Sequence, residues 1–321
     1  MGKRSILSGT AAALGMLVLI LDSKTALKGA AVGVELCIKS VIPSLFPFFL
    51  LSGILVASWM GASFPLLRPL CRFLGMPKGS ESLLIAGFLG GYPVGAKAIR
   101  DAWAKGFLRK EDAQRLLCFC NNAGPAFLFG MVAPLFPDPF SGWALWGIHI
   151  LSALITSCIL REKTTAQVSI PHEKSGNLTQ SLIGAIKVTA QVCGWVILFR
   201  ILSAFLERWV LWAFPLWIRC AVTGLLELTN GCISLASVGS GNLRFLLCSA
   251  MLAFGGLCVC LQTASVTQGL SLRFYCFGKL TQTLFSLLIS AVYLRLLSPL
   301  WLIGMIPFAA AGKTEKTVAF P

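Results

Sequence analysis

The chain has 321 residues, 56% of them hydrophobic and only 12% charged, with a mean hydropathy of +0.82. It holds several runs long enough to cross the ~30 Å hydrocarbon layer, so the expected fold class is an all-α polytopic membrane protein. The net charge of +15 comes from 27 Lys and Arg against 12 Asp and Glu. With no soluble fold to carry a basic face, it reads as basic loops facing the cytoplasm and excludes nucleic acid as a partner.

The chain opens on Lys3 and Arg4 before the apolar run Ile6 to Leu21, which reads as an uncleaved first helix with a cytoplasmic N-terminus; a signal peptide is the competing reading. The mixed stretch Lys28 to Lys39, with Glu35 among Val32, Val34 and Leu36, predicts an amphipathic helix lying at the interface. Val41 to Trp59 follows as a spanning helix kinked by Pro43 and Pro47, and residues 61–81 as a basic, Pro-rich loop.

Leu83 to Ala98 and Leu116 to Phe136 are both apolar, and both are interrupted where a membrane helix should be most regular. The breaks are Gly90-Gly91-Tyr92-Pro93 and Asn121-Asn122-Ala123-Gly124-Pro125. Between them, Lys97, Arg100, Lys105, Arg109, Lys110 and Arg115 form the strongest cytoplasmic signal in the chain. The first segment must then enter and leave by one face, as a re-entrant hairpin, and the second crosses to an outer turn at Pro137-Asp138-Pro139. Trp143 to Leu160 returns.

Past the polar linker the pattern recurs. A helix through Leu206 leads to Thr223 to Ser237, a short apolar segment holding Glu227 and Asn230, and then to Phe245 to Val266, which has a mid-segment Gly pair. The second connector has only Arg244, so the second hairpin is expected to face the other side, giving two inverted repeats with a site between them. A helix from about Thr281 to Leu297 and a short apolar piece, Trp301 to Ala311, close the chain.

Unwound backbone at membrane depth persists only where protein or a polar cavity surrounds it. The candidate substrate-binding residues are therefore Gly90, Gly91, Tyr92, Pro93, Asn121, Asn122, Gly124 and Pro125 in the first half, with Arg200, Glu227, Asn230 and Gln262 in the second. Each has a plainer reading. Gly87, Gly91 and Gly95 also form small-xxx-small repeats that pack helices closely, and the Asn pair can bridge helices. Glu227 in an apolar run is costly unless paired or wet, and Arg219 or Arg200 could pair with it. The twelve cysteines lie in apolar runs without a CxxC pair and read as packing residues; His149 and His172 stand far apart, so no metal or other cofactor is expected. There is no HExxH helix and no GxSxG elbow, and an enzyme is not expected.

GFLGGYPVGAK, KEDAQRLLCFCNNAGPAF and GLLELTNG resemble the YlbJ-type sporulation integral membrane proteins of the wider nucleoside-recognition, or gate-domain, superfamily, over roughly residues 30–300. The resemblance implies a fold similar to the concentrative nucleoside transporters, with two opposed re-entrant hairpins, and a role in spore formation that moves dipicolinic acid across a forespore membrane. Gly91-Tyr92-Pro93 stands where nucleoside transporters carry a polar Gln-Thr-Glu run, and Glu227 is only a rough counterpart of their later acid, which points away from a nucleoside. Residues 1–28 are then the first helix, 29–160 the first repeat or gate domain, 161–180 the linker, 181–311 the second repeat and 312–321 a polar tail. The expected function is transport of a small anionic or nucleoside-like solute, with sodium or a proton as candidate coupling ion and a homo-oligomer as candidate assembly. The alternative is a membrane scaffold or gate subunit that acts through a partner.

Overall fold

Runs of Leu, Ala, Val and Ile make helices, and each helix stops or bends where Gly, Pro or Asn interrupts the run. The computed structural model describes residues 3–59, 62, 64–162 and 178–302, excepting the side chains of 3–8 and 296–302. Helix α1 (Lys3–Leu21) is followed by α2 (Ser23–Leu36), which passes through a π turn, Cys37–Val41, into α3 (Ile42–Trp59). Next come the short α4 (Arg68–Phe73), then α5 (Glu81–Leu89) and α6 (Val94–Ala104), joined as a hairpin at residues 90–93. Helix α7 (Lys110–Phe119) ends at the Asn pair, and the chain resumes as α8 (Pro125–Phe127), a π turn and a 3-10 turn to Leu135. Helix α9 (Pro139–Ile159) closes this set.

The same order then returns. Helix α10 (Leu178–Trp209) leads to a second hairpin, α11 (Leu216–Leu226) and α12 (Leu228–Ser234), hinged at Glu227. Helices α13 (Gly241–Phe254) and α14 (Gly256–Val266) form a second broken helix, and α15 (Leu272–Leu302) follows. Gly255 and Gly256 make this break at φ +82° and +79°, a backbone region that β-carbons disfavour.

Among the described residues, five helices are long and apolar enough to cross a membrane: Ser23–Trp59, Pro139–Ile159, Leu178–Trp209, Gly241–Val266 and Leu272–Arg295. The chain is an all-α, integral, multi-pass membrane protein. Its outward faces fit lipid, with Leu182, Ile183, Ile186, Leu198 and Leu202 exposed on α10 and Leu280, Leu284, Leu288 and Val292 on α15.

Three expectations need correction. Lys28 to Lys39 is not a separate interfacial helix but part of an uninterrupted 37-residue helix running to Trp59. At 1.5 Å per residue that helix is ~55 Å long, more than the ~30 Å layer needs, so a polar stretch can ride at one end. Lys39 meets Glu35 one turn away at 2.9 Å, which eases its charge. The last described helix begins at Leu272, well before Thr281, and α10 begins at Leu178, inside the expected linker. Residues 163–177 of that linker, and the chain after 302, lie outside the described residues.

Small residues set the contact between α2 and α10. Gly29 and Gly33 lie against α10, where an added Cβ would come 3.0 Å from the Cα of Ile201 and of Ile197 respectively. Asp22 accepts from Arg208 at 2.9 Å at one end of this pair, while Cys37 meets Cys193 farther along, so α2 and α10 run antiparallel. Gly33→Leu should lower the melting temperature in detergent by several degrees, because the bulk must push two backbones apart; an unchanged melt would contradict this contact.

The two broken helices also run antiparallel. Asn121 in the first bonds Thr263 near the end of the second, and Leu135 at the end of the first accepts from Arg244 near the start of the second. One end of the bundle gathers the α6–α7 turn and the start of α10, which line one cavity; Arg244, donating to the Leu135 carbonyl, lies toward the other.

Candidate functional site

The first hairpin turns on Gly91, at φ +71°, followed by Tyr92 and Pro93. Its tip reaches both helix breaks. Gly91 lies against Gly124, where a Cβ on Gly124 would come 3.0 Å from the Gly91 Cα. Tyr92 donates its hydroxyl to the Leu252 carbonyl at 3.3 Å and lies beside Gly255. Only glycines allow backbones to meet this closely.

The second hairpin is held by Glu227. Its carboxylate accepts from the backbone N–H of Thr229 at 2.9 Å and of Asn230 at 2.7 Å, capping α12. It pairs with neither Arg219 nor Arg200.

A cavity of about 50 Å³ lies where these pieces converge, lined by Gly90, Gly91, Tyr92, Gly124, Glu227, Thr229, Val259 and Gln262, with Leu45, Phe48, Phe49 and Ser52 from α3. A larger cavity of about 610 Å³ adjoins it at Phe49, lined by Pro93, Lys97, Asp101, Lys105, Lys187 and Gln191 among others. Asp101 is already engaged by Arg100 at 3.1 Å. This vestibule therefore carries Lys97 and Lys187 beside the paired Asp101, a basic wall whose field favours anions.

Of the residues singled out from the sequence, Gly90, Gly91, Tyr92, Gly124, Glu227 and Gln262 meet at the smaller cavity, and Pro93 faces the larger. Pro125 opens α8 beside Gly124. Four others are placed elsewhere. Arg200 bonds Glu207 at 3.0 Å on the face of α10 that meets α2, because a charge in an apolar helix is satisfied by the nearest acid. Asn230 donates its amide to the Val196 carbonyl at 3.4 Å.

Asn121 and Asn122 are fully buried and their groups are used within the protein. Asn121 accepts from the Ala96 N–H and donates to Thr263 and Tyr275; Asn122 donates to the Phe119 carbonyl. A helix that stops in the middle of a bundle leaves backbone groups open, and these amides close them.

The oxygen of Asn122 leads to a group missed in the sequence. Lys279 on α15 is fully buried and donates to Asn122 Oδ1 at 3.0 Å and to Gln282 Oε1 at 2.8 Å. Its ammonium lies 5.6 Å from the centre of the Tyr92 ring and 5.9 Å from that of Tyr275. The signal was available, since a lysine inside an apolar run marks a functional position by default. Starting the last helix at Thr281 left it outside.

The chain is similar to the sporulation integral membrane protein YlbJ of Bacillus subtilis (strain 168), at 24% identity over 343 aligned residues that cover 90% of this chain and 82% of that protein. The similarity supports the YlbJ-type resemblance and a membrane role. No family model matches the chain. No solved structure matches it.

Proposed function

We propose that this protein is a transporter that carries a small anionic or nucleoside-like solute across a membrane during sporulation, with dipicolinic acid as the first substrate to test. One observation carries the reading: two hairpin tips and the first helix break, distant in sequence, close on a single cavity with Val259 and Gln262 of α14, beside a lysine-lined vestibule. Broken helices around a midplane site are the usual architecture of secondary transporters, and nothing in packing alone requires two hairpin tips and a helix break to coincide.

In this reading the basic end of the bundle faces the cytoplasm by the positive-inside rule, and the two antiparallel broken helices give the two sides of alternating access. The aromatic ring of Tyr92 offers a stacking face, and Lys97 and Lys187 draw the anion in. No covalent chemistry is assigned to the site.

The test is uptake into liposomes that contain the purified protein. Labelled dipicolinate should accumulate above empty liposomes, and unlabelled dipicolinate should compete better than simple dicarboxylates or nucleosides. Asn122→Ala should cut uptake at least tenfold by releasing the break that shapes the cavity. No flux with any of these solutes, together with co-purification of a second membrane protein, would replace transport by the scaffold reading.

A further inference from the structure

The protein buries a lysine in its membrane-spanning core, and no acid among the described residues meets it. Lys279 has no exposed surface, and its two hydrogen-bond acceptors, Asn122 Oδ1 and Gln282 Oε1, are neutral amide oxygens. The titratable groups around it come from every side: Tyr92 from the first hairpin, Cys118 and Cys120 from α7 and its break, Cys260 from α14, His149 from α9, and Tyr275 on its own helix. Helix α13 meets α15 through Ser249, Ser286 and Ser290. None of these is a carboxylate. A charge taken out of water and left without a counter-charge is costly, and two neutral acceptors do not offset that cost.

The cavity on the other side of Tyr92 is where a counter-charge can enter. The Tyr92 ring stands over Lys279 Nζ, 5.6 Å from the ring centre, and also lines the smaller cavity. That cavity holds the Glu227 carboxylate, but its oxygens are taken up by the two N–H groups of the α12 cap, and the described lining residues include no basic side chain. At about 50 Å³ the cavity is smaller than a dicarboxylate, so an anion reaches Tyr92 when the site opens toward the vestibule that adjoins it at Phe49; seated there, it would be the nearest uncommitted negative charge to Lys279.

We infer that Lys279 is the proton-binding partner of the transported anion: the site takes up one proton on Lys279 with each anion it binds, making the protein a proton-coupled anion carrier. The inference rests on the transport reading and names its coupling ion. An anion at the cavity favours a proton on Lys279, and by reciprocity a proton on Lys279 favours the anion by the same factor. Proton and anion then cross together, and the positive charge of Lys279 is not left alone in the core at either face. Tyr92 links the pair to the second broken helix, since its ring lies 5.6 Å from Lys279 Nζ and its hydroxyl donates to the Leu252 carbonyl in the last turn of α13.

His149 is the alternative proton acceptor in the same cluster. It is buried, its two ring nitrogens have no hydrogen-bond partner, and its backbone carbonyl accepts from Gln282. The experiment must separate the two.

Titration calorimetry of dipicolinate binding to the purified full-length protein, repeated in buffers of different ionisation enthalpy, counts the protons taken up per anion bound. The wild type should take up close to one proton. Lys279→Gln, which keeps an amide for Asn122 and Gln282, should bind with at least tenfold lower affinity and take up none, while His149→Gln should retain the uptake. Lys279→Met serves as the second neutral variant should Lys279→Gln not fold. Tight binding by the wild type without proton uptake overturns the inference and leaves the transport reading standing. Uptake that survives in Lys279→Gln and vanishes in His149→Gln overturns the assignment to Lys279. No binding of dipicolinate, nucleosides or simple dicarboxylates by the folded wild type removes the transport reading and the inference with it.

Discussion

Gly87→Val should leave almost no folded protein, whereas Gly147→Ala should melt at or slightly above the wild-type temperature. A Cβ at Gly87 would lie 2.1 Å from the Cys120 carbonyl oxygen and 2.6 Å from its carbon, both backbone atoms at the first helix break. No side chain can swing away there, so the hairpin must leave its seat. Ordinary overpacking costs about 1–3 kcal/mol because neighbours relax. A clash against backbone belongs to the rare class above about 4 kcal/mol, a large part of the stability of most domains. Gly147 on α9 has no atom within 4 Å of the added carbon, and Ala there gains up to about 1 kcal/mol of helix propensity. Size-exclusion profiles and thermal melts in detergent decide the matter. A well-folded Gly87→Val protein would mean that α5 does not cross the break at Cys120.

The second large effect is expected at Glu227. Glu227→Ala should lower the melting temperature by several degrees and reduce uptake more than tenfold, with Glu227→Gln in between on both measures. The carboxylate satisfies two buried N–H groups, and a buried donor without an acceptor costs about 1–3 kcal/mol. Alanine abandons both donors. Glutamine keeps one oxygen on the same stem and abandons at most one. Uptake follows because Glu227, Leu228 and Thr229 line the cavity, so loss of the cap reshapes the wall. Equal melting of Glu227→Ala and the wild type would show that the second tip is held by something other than this cap.

These two positions also show how far the sequence could be read. Gly87, Gly91 and Gly95 form one spacing, and from the sequence they could be packing residues or cavity wall. The structure divides them. Gly87 and Gly95 both lie against the Cys120 carbonyl, while Gly91, two residues before the hairpin turn ends, lines the cavity. Spacing alone cannot separate them, because it records which residues share a helix face and the helix ends at Gly90.

Glu227 was legible as costly but not as a cap. Its partners are the next residues along the chain, and seeing them as donors requires knowing that a helix begins at Leu228. Arg200 shows the reverse case. As a lone charge in an apolar run it drew attention, yet Glu207 two turns later satisfies it.

The sequence by itself determined that the chain is all-α and membrane-spanning, and where its helices break. Those properties are local: apolar run length, the missing N–H of proline and the freedom of glycine act within a few residues. Only the tertiary structure decided what the breaks enclose. It turned both asparagines inward, bound Arg200 to Glu207 and Asn230 to the Val196 carbonyl, and set Lys279 behind Tyr92, 187 positions earlier in the chain. Contacts at that separation depend on how antiparallel helices align, and no pattern within a single helix encodes the face that its partner will offer.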